Sequence, residues 1–168
     1  AGNAAFLQRE HGLSVLCHRA DAAVLDGSAP RPVMGGRGGL LERALCAVEN
    51  RFPARLRVDR ALDDGDSVAS LEVHHVAGHT EGSVLYRHAA TGCLLTGDTL
   101  LTARPPLTLL RGVTRAHDAF SLDTARAHAA LDDFHAAGWR YDHVLAGHGA
   151  PLVGNARARV LRALEGAE

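Results

Sequence analysis

The sequence predicts an α/β domain of the layered α+β kind, with mixed sheets flanked by helices. Apolar runs of strand length cluster in the middle of the chain, and helix-period segments lie on either side of them. Beyond residue 120, helix, strand and helix alternate, which is the order of sheet buried under helix. The 168 residues suit one domain with a real core, read as a single unit over 1–168.

The elements follow in order. Asn3 can cap a short helix, Ala4–His11, stopped by Gly12. Leu13–Cys17 is a short apolar strand, and Ala20–Leu25 a second short helix. Gly27–Gly39 is rich in Pro and Gly and reads as a loop. Leu40–Phe52 has helical spacing, with Leu41, Leu45 and Val48 on one stripe. Leu56–Val58 is a short strand candidate. Asp64-Gly65 marks a turn before a strand over Val68–Val76, where Leu71 and Val73 alternate with Glu72 and His74. Gly82–Arg87 and Cys93–Thr96 form a hairpin through Ala89–Gly92. Leu122–Ala137 is a helix ending at Gly138, His143–Ala146 a strand, and Ala156–Leu164 a final helix.

Composition excludes several classes. Net charge is −1, and all 18 basic residues are arginine with no visible stripe, so a nucleic-acid partner is not expected. No apolar run approaches the roughly 20 residues of a membrane span. Cys17, Cys46 and Cys93 are an odd, widely spaced set without a CxxC pair, which reads as buried free thiols in a reducing, cytoplasmic setting.

Three segments carry chemistry: Gly78-His79-Thr80-Glu81-Gly82-Ser83, Thr96-Gly97-Asp98-Thr99 and Ala146-Gly147-His148-Gly149. Each comes after an apolar run, and each sets one good metal ligand beside a glycine. A strand end fixes the ligand, while glycine lets the backbone turn sharply and come close. Imidazole nitrogens with a carboxylate oxygen suit zinc, and also manganese or iron. Singly these dipeptides are common; their order, spaced 19 and 50 residues apart, is informative.

GHTEGS, LLTGDTL and VLAGHGAPL resemble the third, fourth and fifth metal motifs of the metallo-β-lactamase superfamily. The resemblance implies a four-layer αβ/βα sandwich with two metals at the strand edge between its halves. It implies that His79 binds the first metal, that Asp98 bridges both and that His148 binds the second. It also implies a metal-assisted hydrolase of a small-molecule ester, thioester or lactone-like bond. The family's remaining ligands come from an HxHxDH motif that nothing in this chain fits. The opening Ala1–Leu7 resembles the family's stretch just after that motif, so an N-terminally truncated domain is expected. With one imidazole per metal and a shared Asp98, the segment alone is expected to bind metal weakly. The parent is expected to be the enzyme, and an inactive binding module is the alternative. Hydroxyacylglutathione hydrolases and persulfide dioxygenases usually continue from the fourth motif into a Gly/Cys/Gly-Arg segment. Leu100–Pro106 does not, which weakens both assignments.

Other histidines are read more plainly. His128, Asp132 and His135 share a helix face opposite Ala127, Leu131 and Phe134, a pattern expected to be a solvated stripe. His74 is placed on the polar face of a half-buried strand and His143 at a strand end. His117 is a candidate pocket residue.

Overall fold

The computed structural model describes residues 3–33, 38–51, 55–104 and 110–166. Five helices and ten strands run in the order α1 (Ala4–His11), β1 (Leu16–His18), α2 (Arg19–Asp26), α3 (Leu40–Arg51), β2 (Arg60–Leu62), β3 (Ser67–Val68), β4 (Leu71–His75), β5 (Val84–His88), β6 (Cys93–Gly97), β7 (Leu100–Ala103), β8 (Arg111–Arg115), α4 (Thr124–Ala136), β9 (His143–Ala146), β10 (Leu152–Val153) and α5 (Ala156–Glu165). The main sheet has six strands in the order β10-β9-β6-β5-β4-β3. All its pairings are antiparallel except β6 with β9. Two-stranded sheets, β1-β2 and β7-β8, complete the mixed α/β architecture.

The two faces of the main sheet differ. Leu94 of β6 pairs in register with Val144 of β9. Both are fully buried with Leu131 and Phe134 of α4 and Val160 and Leu164 of α5. Each such side chain contributes roughly 1.5–3 kcal/mol by leaving water. One residue on, Leu95 pairs with Leu145, which points the other way and stays 41% exposed. On strands of period two this is what a sheet covered mainly on one side looks like.

Several elements differ from expectation. Val68–Val76 is two strands, because Ala69 and Ser70 both adopt left-handed backbone (φ 48° and 70°) and turn the chain between β3 and β4. That conformation usually signals Gly or Asn, so the residues there do not advertise the turn. Leu56–Val58 is not a strand; pairing starts at Arg60, where β2 lies parallel to β1. β1 itself starts at Leu16. Asn3 does not cap α1 with its side chain, and only its carbonyl accepts, from the Leu7 amide at 2.9 Å. Gly12 does end that helix in the left-handed conformation. The stripe on α3 faces outward: Leu41, Leu45 and Val48 are 54%, 44% and 62% exposed, while Cys46 is buried and donates its S–H to the Ala119 carbonyl. Phe52 and part of the Gly27–Gly39 loop lie outside the described residues. None of the three cysteines is in a disulfide; Cys46 is buried, Cys17 and Cys93 partly so. No helix among the described residues is long and apolar enough to cross a membrane.

The stripe on α4 is also not uniformly solvated. Asp132 is exposed and pairs with Arg115 at 2.7 Å, and His128 is half-buried against the Ala116 carbonyl. His135 is buried and shares a 2.8 Å hydrogen bond with the Tyr141 hydroxyl. Burial, then the nearby Arg157 charge, lowers its pKa to about 4. An unfolded histidine titrates near 6.5, so the unfolded chain takes up the proton first as pH falls. The stability held by neutral His135 is therefore complete above about pH 6.5 and is lost towards pH 4, by about 2–3 kcal/mol at the lower limit. Chemical denaturation between pH 7 and 4.5 should show a smaller loss for His135→Gln than for the parent. Equal losses would contradict the assignment.

Candidate functional site

His79, Asp98 and His148 lie just beyond the C-terminal ends of β4, β6 and β9, three strands of the main sheet. The fold brings them together. His79 Nε2 stands 3.6 Å from Asp98 Oδ2, and His148 Nε2 stands 3.7 Å from Asp98 Oδ1. Asp98 thus sits between two imidazoles, one facing each oxygen.

Each loop is fixed by identifiable contacts. Gly78 passes against the first turn of α4, where a Cβ would come within 2.2 Å of the Ala127 amide nitrogen. The Asp123 amide donates to the Gly78 carbonyl at 2.8 Å, and the Leu122 amide to the His79 carbonyl at 3.2 Å. The Asp123 side chain in turn caps α4 by accepting from the Arg126 amide. On the imidazole, Nδ1 meets Ser121 Oγ at 3.4 Å, and that hydroxyl donates to the His117 carbonyl at 2.8 Å. Downstream, Asp21 of α2 accepts from Thr80 Oγ1 at 2.6 Å and from the Gly82 amide at 2.8 Å.

The other two loops hold each other. The Gly147 amide donates to the Gly97 carbonyl at 2.8 Å, joining them beside the site. A Cβ on Gly147 would lie 2.2 Å from Asp98 Oδ1, so only glycine leaves the carboxylate its place. Thr102 of β7 donates to the His148 carbonyl from its amide at 3.1 Å and from its hydroxyl at 3.2 Å. Buried Thr96 closes the Asp98 turn by donating to the Leu100 carbonyl at 2.6 Å.

Asp21 and Ser121 carry no motif signal in the sequence, since their partners lie 59 and 42 residues away. Asp21→Ala should cost about 1–3 kcal/mol by leaving the Gly82 amide unpaired and the Thr80 hydroxyl with Ser83 Oγ alone. It should also broaden the His79 ring resonances, which a ring-selective NMR spectrum would show; an unchanged His79 signal would mean the loop does not depend on Asp21.

The donor set fits part of a two-metal site. Both N···O separations exceed hydrogen-bond length. Two ligand bonds of about 2.1 Å span at most about 4.2 Å, so an ion fits between the ends of either pair. Among the described residues no group of three or more His, Cys, Asp or Glu is arranged to hold a metal ion. The two pairs use different carboxylate oxygens, so they define two half-sites rather than one complete shell. Other histidines are engaged elsewhere. His18 stacks on His75 at 3.8 Å between ring centroids, and His75 Nε2 bonds the Glu81 carbonyl. His74 lies half-buried between Phe134 and Trp139. His143 accepts from the Gly154 amide through Nδ1.

A mixed sheet under helices, with His, Asp and His beyond the C-terminal ends of β4, β6 and β9 at one end of the sheet, defines the class. The chain belongs to the metallo-beta-lactamase superfamily, whose family model matches residues 1–148. It is 43% identical over 79 residues to the hydroxyacylglutathione hydrolase of Pseudomonas paraeruginosa (strain DSM 24068 / PA7), a match covering 42% of this chain and 30% of the relative. The chain therefore matches less than a third of that relative's length. Two solved structures share the fold. TTHA1623 in a di-iron-bound form superposes with a TM-score of 0.64 at 22% identity, covering 95% of this chain and 69% of that one. The metallo-beta-lactamase family protein TTHA1429 from Thermus thermophilus superposes with a TM-score of 0.54 at 21% identity, covering 98% and 56%.

Proposed function

We propose that this chain supplies the shared-aspartate portion of a two-metal hydrolase site that cleaves an acyl bond of a small molecule. The observation that carries the reading is Asp98 held between His79 and His148, one imidazole to each oxygen. Bound divalent cations in such sites polarise a carbonyl and acidify water. His79 and His148 would each hold one ion through Nε2, and Asp98 would span the pair while balancing their charge. Ser121 would keep the His79 ring turned to Asp98 through Nδ1. Zinc suits this donor set, and manganese and iron share its preference for imidazole and carboxylate.

Among ester, thioester and lactone-like bonds, the similarity to hydroxyacylglutathione hydrolase favours a thioester. Leu100–Ala103, the first part of the Leu100–Pro106 difference from those enzymes, is buried as strand β7. We place the protein in the cytoplasm on its cysteines, none of which is in a disulfide. The second reading, a binding module without catalysis, draws on the same donor count. Each half-site has two protein donors, where a working zinc site has three or more.

The experiment joins the chain to an upstream segment carrying HxHxDH and assays hydroxyacyl thioesters, aryl esters and lactones. The hydrolase reading predicts chelator-sensitive thioester cleavage by the joined protein and none above background by the 168-residue chain. Tight metal binding without cleavage of any of the three would favour the binding module.

A further inference from the structure

A second feature is lined by none of His79, Asp98 and His148. A cavity of about 780 Å³ opens between β8, the C-terminal end of α5 and Arg104, lined by Arg104, Val113, Thr114, His117, Arg162 and Ala163, with Gly112 and Gly166 at its wall. Neither Arg104 nor Arg162 makes an ion pair or side-chain hydrogen bond among the described residues. Other arginines nearby do: Arg115 pairs with Asp132, and Arg157 bonds the carbonyls of Trp139 and His135. The Arg104 side chain lies across Gly112, where a Cβ would come within 2.7 Å of Nε and 2.8 Å of Cγ. Glycine at this position of β8 thus lets the guanidinium lie over the strand.

Two guanidiniums on one cavity, with no carboxylate partner among the described residues, repel each other and offer donors in the fork geometry that suits oxyanions. Val113 and Ala163 give the wall apolar patches, which strengthen attraction to a bound charge. Thr114 adds a hydroxyl, already donating to the Ala103 carbonyl at 2.8 Å and so able to accept. We propose that this cavity is an oxyanion-binding site, for a carboxylate or phosphate group of a small molecule, held by Arg104 and Arg162 with His117 on its rim.

The test uses the 168-residue chain without added metal, so it stands or falls separately from the hydrolase reading. Succinate, inorganic phosphate and the neutral succinamide are titrated at constant ionic strength, with calorimetry and the His117 ring resonances as readouts. Arg104→Gln and Arg162→Gln should each weaken anion binding about fivefold or more, and together remove it, because each takes away a charge-assisted pair. Arg159→Gln, one turn away on α5 with the same charge loss, should leave binding unchanged. Binding of succinate alone identifies a carboxylate site and binding of phosphate alone a phosphate site; either supports the proposal. Succinamide binding as well as succinate, equal weakening by Arg159→Gln, or undiminished binding in the double variant would overturn it.

Discussion

Asp98→Ala is expected to abolish metal-dependent hydrolysis in a protein that joins this chain to an HxHxDH segment. The carboxylate faces both imidazoles, His79 across 3.6 Å and His148 across 3.7 Å. On the proposed two-metal reading, its loss would strip a donor from both half-sites at once and remove the negative charge that would balance the two ions. The rate should fall by at least about a hundredfold, at or beyond the cost of losing a group that merely orients a ligand. Steady-state rates on the best substrate, with metal content measured on the same samples, check this. His128→Ala should leave the rate unchanged, since that ring, on α4, shares a hydrogen bond with the Ala116 carbonyl. A metal-loaded Asp98→Ala protein turning over at the parent rate would remove Asp98 from the centre of the site.

Gly78→Ala is expected to have the largest effect on stability of any single-methyl change near the site. Its φ of 135° is a conformation side chains rarely adopt, and the new Cβ would lie 2.2 Å from the Ala127 amide nitrogen and 2.6 Å from the Asp123 carbonyl oxygen. Those atoms belong to the capped start of α4 and cannot yield as a flexible side-chain tip would. The GHTEGS loop must lift off the helix, breaking the bond from the Asp123 amide to the Gly78 carbonyl. A loss of about 3 kcal/mol or more is expected, in the range of backbone strain combined with overpacking. Urea denaturation would measure it. Because His79 directly succeeds Gly78, the same variant should lose His79-dependent metal affinity. A loss below about 1 kcal/mol would mean that this approach is looser than the geometry shows.

The candidate site residues are legible in the sequence because each announces itself locally: a strand-length apolar run, then a glycine, then His or Asp. The structure brings all three to the same end of the main sheet. The hairpin through Ala89–Gly92 and the helices α4 and α5 that cover the main sheet are legible for the same reason, since period and turn chemistry are local. What stays hidden is long-range or unusual. Nothing near Asp21 says that it will hold Thr80 and Gly82 from α2. The β3-β4 turn uses Ala69 and Ser70 where Gly or Asn would have flagged it. The strands β7 and β8 are four and five residues long and flank a proline-containing stretch, so neither shows a sustained alternation. His135 reads as solvent-facing from sequence because its partner, Tyr141, lies beyond the helix end.

Zinc titration of the 168-residue chain against a competing chelator, read by native mass spectrometry, tests most directly whether His79 and His148 form two half-sites on opposite oxygens of Asp98. Two half-sites predict two weak equivalents for the parent chain, one for His79→Ala, one for His148→Ala and none for Asp98→Ala. A single equivalent lost completely with either histidine would show one shared shell instead, and two equivalents surviving in Asp98→Ala would show that the metals are held elsewhere.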